Sequence, residues 1–108
     1  MIIDKMDRMI RGWFVGDFEP SVFRTKDFEV GYLRFQKGRL DTPHYHAEVT
    51  EYNYVIRGAM IIQGKTLTQG DIFVLEKGDI SDAVFLDDTE LIVVKVPSVP
   101  NDKHFVEL

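Results

Sequence analysis

Gly38-Arg39-Leu40-Asp41-Thr42-Pro43-His44-Tyr45-His46-Ala47-Glu48-Val49-Thr50-Glu51, running on through Tyr52 to Gly58, decides how the rest of the chain is read. His44 and His46 stand two residues apart. On a β-strand that spacing puts both imidazoles on one face. Glu51 follows after a gap long enough for a bulge or turn, and a new apolar run then begins. Pro43 holds Thr42 extended, and stiffness of that kind keeps ligands in place before a metal arrives. Two imidazoles and a carboxylate suit a borderline divalent cation such as Fe, Mn, Ni, Zn or Co. A pair of surface histidines beside a proline turn would give the same pattern. That two of the chain's three histidines fall here favours the metal reading.

The spacing resembles the first motif of the cupins: a glycine, five residues, His-x-His, a short gap, a glutamate, six residues and a glycine. The matching positions are Gly38, His44, His46, Glu51 and Gly58. A second cupin motif normally follows, and Gly70 to Ser81 holds its place. Gly70 and Gly78 are in register, Glu76 stands where a proline is usual, and Ser81 stands where the fourth metal ligand is usual. The match covers residues 38–81, and a small cupin would take up about the whole chain. It is similar to the small single-domain cupins of the cupin_2-like kind. The resemblance implies an all-β cupin, or double-stranded β-helix (jelly-roll), barrel with a short N-terminal arm. It also implies a homodimer, and one divalent metal per chain (Fe, Mn, Ni or Zn) on His44, His46 and Glu51. It does not imply one activity, because one fold carries many.

Ser81 changes the chemistry that the resemblance would otherwise imply. The usual ligand set is three histidines and a glutamate, and serine is a poor ligand for such metals. Two histidines and one carboxylate have the composition of a facial triad, with positions open for water, oxygen or substrate. Asp79 and Asp82 flank Ser81 and are the other candidates for the fourth position. The same loss would suit a site used without metal. His44 or His46 would then act as a general base oriented by Glu51. Some sugar-nucleotide isomerases and epimerases of the cupin type work so, but this chain lacks their extra length.

A chain of 108 residues is read as one domain. The core is expected over about 20–97, with an arm at 1–12 and a tail at 98–108. There is no cysteine, which excludes disulfides and thiolate metal sites. Acidic residues outnumber basic ones by 18 to 13, giving a net charge of −5. No basic stripe suggests nucleic acid as a partner. Met1 to Met9 lacks the apolar segment of a signal peptide, and no apolar run reaches membrane-spanning length. A cytoplasmic location, with no membrane partner, is the default expectation.

Short strands separated by Gly-bearing turns run through the chain. Trp13-Phe14-Val15 is apolar and expected to be buried, as a plug of the core or as a pocket wall. Ser21 to Thr25 is a short strand candidate. Phe28 to Gln36 is a better one, with Val30, Tyr32, Arg34 and Gln36 on one face. Phe28, Leu33 and Phe35 take the other face if Gly31 breaks the alternation. Arg34 is either solvated or aimed at an anionic ligand. Over Tyr52 to Ile56 the alternation puts Glu51, Asn53 and Val55 together. Asn53 then looks into the cavity beside Glu51, or satisfies a neighbouring backbone group. Gly64-Lys65 suggests a hairpin turn. Ile72 to Leu75 reads as a strand covered on both faces, Ile80 to Leu86 as the strand carrying Ser81, and Leu91 to Val96 as a late core strand. The tail carries His104, read as a surface residue. Its Val99, Phe105, Val106 and Leu108 suggest that it lies against the barrel or a second chain.

Three functions remain open on these residues. One is a metal-binding cupin, with or without oxygenase- or isomerase-type activity on a small polar substrate. Another is a non-catalytic module for a sugar or organic acid, with Arg34, Tyr45 and Asn53 lining the pocket. The third is metal-free acid–base chemistry on a sugar derivative.

Overall fold

The computed structural model describes residues 1–106. It contains a single turn of 3-10 helix (Met6–Arg8) and eleven strands. These are β1 (Trp13–Gly16), β2 (Phe23–Arg24), β3 (Glu29–Phe35), β4 (His44–Tyr45), β5 (Thr50–Arg57) and β6 (Ala59–Ile62). They continue as β7 (Lys65–Thr68), β8 (Ile72–Leu75), β9 (Val84–Phe85), β10 (Thr89–Val96) and β11 (His104–Phe105). None of the described helices is long and apolar enough to cross a membrane.

Six strands make one sheet in the order β2-β1-β3-β10-β5-β8. β10 lies in its middle, antiparallel to both β3 and β5. Its β-branched run explains that position: Leu91 and Val93 are buried, with Leu91 opposite both Leu33 and Val55. A smaller sheet, β7-β6-β9, contributes Met60, Ile62 and Phe85 from its inner side. These close with Val55, Leu75, Ala83, Leu91 and Val93 into one apolar cluster. Each such side chain contributes about 1.5–3 kcal/mol on burial. The Phe85 ring stacks on Phe35, with 4.2 Å between centroids.

Gly58 and Gly31 are among the glycines required by close approach. Gly58, at φ +105°, would put a Cβ 2.4 Å from the Asp88 carbonyl oxygen, so this motif glycine lets β5 turn tightly into β6. At Gly31 a Cβ would lie 2.7 Å from the Trp13 ring, which packs flat on β3 there.

The irregularity expected at Gly31 falls on the facing strand, where the β1–β3 register shifts between Trp13 and Val15, and β3 itself keeps its alternation. The β3–β10 register runs unbroken from Thr89 opposite Phe35 to Lys95 opposite Glu29. Phe28 therefore does not join Leu33 and Phe35; it precedes the strand and is exposed. Ile72 to Leu75 is not covered on both faces either. β8 is an edge strand, and Ile72 is 72% exposed. Its outer face continues onto exposed Tyr52 and Tyr54 across the β5 register. An apolar run of four residues reads the same at a covered centre and at an edge. The β6–β7 turn falls at Gln63-Gly64, both with positive φ, and Lys65 already belongs to β7. The strand expected around Ser81 shrinks to Val84–Phe85, and Ser81 makes a single bridge to His44. The tail turns back on its own chain, because β11 pairs with β4. Leu108 lies outside the described residues.

Candidate functional site

A cavity of about 960 Å3 opens between the two larger sheets, lined by inward residues of β3, β5, β8 and β10 and by the arm. Arg34 stands at its wall although its side chain is exposed. His44 and His46 both face it, each only 7% exposed, with ring centroids 5.4 Å apart. Alternation along β4 explains this and sends Tyr45 the other way. Tyr45 is therefore not a wall of the cavity: its ring stacks on His104, 5.3 Å between centroids.

Each imidazole is fixed through Nδ1. His44 Nδ1 lies 2.9 Å from the carbonyl oxygen of Thr42, and His46 Nδ1 lies 2.5 Å from that of Asp102. A carbonyl only accepts, so each Nδ1 carries a proton and each Nε2 is the nitrogen left for another partner. Burial pushes the His46 pKa down, and the Lys95 ammonium pushes it the same way. The ring is thus neutral at pH 7.

Glu51 and Asn53 line the same cavity, side by side on the inner face of β5. The Asn53 amide donates to the Glu51 carbonyl and to its Oε2, each at 3.4 Å. Among the described residues, no three His, Asp or Glu side chains are gathered closely enough to hold a metal ion. Ser81 is buried at the cavity wall, tied to the His44 backbone by two hydrogen bonds of 2.7 and 3.1 Å. Asp79 and Asp82 lie outside the cavity lining. Asp79 accepts from the Glu76 amide and Asp82 from the Gln63 amide, both at 2.8 Å, so each carboxylate serves a turn.

Asp102 is the functional residue that sequence reasoning missed. Its carboxylate accepts from the backbone N–H groups of Ala47, Glu48 and Val49 at 2.8–3.2 Å. It also meets His104 Nε2 at 3.0 Å. Burial pushes the Asp102 pKa up, but the three amides and His104 outweigh it and hold it below the usual carboxylate value. One residue of the tail thus sets the loop between His46 and Glu51 with its side chain, and the His46 ring with its carbonyl. His104 is exposed, as expected, and its Nε2 also ties the tail to Asp102. A lone aspartate in a polar tail carries no local signal of such a role.

Lys95 was missed as well. It lies opposite Glu51 in the β10–β5 register, and its ammonium sits 4.7 Å from the centre of the Trp13 ring. Trp13 is thereby part of the cavity wall as well as packing on Gly31.

No protein-family model matches the chain, and no curated protein sequence matches it. Solved structures do. KdgF from Halomonas sp. is 29% identical, over 71% of this chain and 74% of that one, with a TM-score of 0.64. A sugar phosphate isomerase of the cupin superfamily from Silicibacter pomeroyi is 24% identical, over 76% of this chain and 58% of that one, with a TM-score of 0.62. The bacterial pirin YhhW from Escherichia coli, in complex with nickel(II), is 18% identical, over 82% of this chain and 39% of that one, with a TM-score of 0.68. The chain therefore has an all-β fold of the cupin superfamily, resembling double-stranded β-helix proteins. The likeness extends over several cupin subfamilies and does not single out the cupin_2-like one.

Proposed function

We propose that the chain is a metal-binding cupin whose cavity takes a small polar molecule, with His44, His46 and Glu51 as protein ligands of one divalent cation (Fe, Mn, Ni or Zn). The observation that carries this reading is the pair of Nδ1–H···O=C bonds, which leave both Nε2 atoms for a metal. Metal-ligating histidines are oriented in this way by their second nitrogen. The donor types fit, since two neutral imidazoles and a carboxylate suit these cations, although the three side chains are not gathered as a ligand set in this structure and a cation would have to draw them together. Glu51 is restrained only by two long bonds from Asn53, which a cation can outcompete. When bound, the metal would supply Lewis acidity and open positions for a ligand. The chain's own part is to hold the imidazoles in one tautomer, to bury them, and to present Glu51, with Ser81 at the position of the usual fourth ligand. A cavity of about 960 Å3 leaves room for a substrate of sugar size beside them.

Elemental analysis of protein purified without chelator tests this. About one metal per chain is expected, weakening as pH falls and the histidines take up protons. His44→Ala and His46→Ala should each abolish stoichiometric uptake. Parent protein that takes up none of the four metals on reconstitution would remove the reading.

Metal-free acid–base chemistry is the second reading, favoured by the lowered His46 pKa and by Ser81 in place of a histidine. The His46 Nε2 would take a proton from the substrate while the Asp102 carbonyl holds the ring. Activity that survives chelation but not His46→Ala would select it; activity lost on chelation alone would exclude it.

A further inference from the structure

We propose that Arg11, Lys95 and Lys103 form an anion-binding corner beside His46 that takes the carboxylate or phosphate group of a small organic molecule. This rests on the reading that the cavity is a ligand site, and it does not require the metal.

The corner is the wall between the large cavity and an adjoining hollow of about 290 Å3. The residues that line both are Arg11, Trp13, His46, Lys95 and Lys103. Three of them are cations and none is a carboxylate, in a chain whose net charge is −5. They come from three separate segments: the arm, β10 and the stretch leading into β11.

Three other arginines are paired, while Arg34 and Arg39, which line only the large cavity, are in no ion pair among the described residues. Arg8 meets Asp4, Arg24 meets Asp17 and Glu19, and Arg57 meets Glu90. Among the described residues, Arg11, Lys95 and Lys103 make no ion pair. The carboxylates around the corner are taken by other groups or line only the large cavity. Glu19 is held by Arg24 and Glu29 accepts from the Ser98 hydroxyl at 2.9 Å, while Glu51, opposite Lys95 in the β10–β5 register, lines only the large cavity. Asp102 is filled by three amides and His104. Asp7 and Asp41 line only the large cavity.

Lys95 is held over the Trp13 ring, and Lys103 lies over Phe105 with its ammonium 5.5 Å from the ring centre. Like charges that line one concave wall attract an anion more strongly than the same charges spread over an open surface. An anion seated there lies next to His46, so its uncharged part extends towards the imidazoles.

Trp13 is the chain's only tryptophan, and it reports the corner directly. Its fluorescence would be titrated in metal-stripped, dialysed protein with sodium gluconate, sodium phosphate or uncharged sorbitol, with sodium chloride holding ionic strength constant. A saturable change is expected with gluconate or with phosphate, and none with sorbitol. Which anion responds separates a carboxylate ligand from a phosphate one. Lys95→Met keeps the side-chain stem on Trp13, and Lys103→Met alters an exposed residue, so both should fold with unchanged melting temperature. Each should weaken the response about tenfold or more, while Lys65→Met, on the β6–β7 hairpin, leaves it intact. Absence of a saturable response to either anion, an equal response to sorbitol, or parent-like binding in both cavity variants would overturn the proposal. Metal uptake is measured separately, so either reading can fail while the other stands.

Discussion

His44 lies on β4 and His46 just past it, both facing the cavity and both bonded through Nδ1, yet they are secured in different ways. The acceptor for His44 is Thr42, two residues away and stiffened by Pro43. The acceptor for His46 is Asp102, 56 residues away. One half of the site is thus local geometry. The other half exists only once the tail has returned to β4. A site built in this way is complete only in the folded chain, and its weaker half lies outside the motif that announces it.

Asp102→Ala should break the comparison most strongly. It leaves the amides of Ala47, Glu48 and Val49 without their acceptor, at a cost of about 2–4 kcal/mol, measured by urea unfolding. Nitrogen-detected NMR of the imidazoles should show the His46 proton leaving Nδ1 while His44 keeps its own. Equal disturbance of both rings would erase the distinction. Acid should have a smaller effect of the same kind. The Asp102 pKa is lowered in the folded chain, so its contribution is complete above about pH 4 and is lost as pH falls through the folded value. The stability gap between parent and Asp102→Asn should therefore be wide at pH 7 and begin to narrow as pH falls below about 4; a gap that does not change with pH would contradict the assignment. Pro43→Ala probes the local half and should cost only about 0.4–1 kcal/mol. It should loosen His44 in preference to His46, and the same NMR measurement checks this.

The local half was legible in the chain and the distant half was not. The spacing of His44 and His46 put both on one face of a strand, and the cupin resemblance carried by Gly38, Glu51 and Gly58 implied the turn and the return of Glu51. Alternation in β5 similarly put Glu51, Asn53 and Val55 on the cavity side. The same rule, applied to β4, would have turned Tyr45 away from the cavity. Ile72 to Leu75 was misread because a strand's neighbours, rather than its residues, decide whether its second face is covered. Asp79 and Asp82 sit near Ser81 in sequence, but turn amides claim them. Asp102, Lys95, Lys103 and Arg11 carry no spacing signal at all. Asp102 reaches His46, and the three cations line the same cavity wall, through the sheet order and the returning tail, which are products of the whole fold.

The pairing of β11 with β4 involves two residues on each strand, whereas the apolar cluster draws on both larger sheets. The tail can therefore unzip as a small opening event at far less free energy than global unfolding. A melting curve follows the cluster and would pass a molecule whose His46 has lost its tether. Amide hydrogen exchange at Ala47 to Val49 is the sensitive gauge of whether a given preparation is competent.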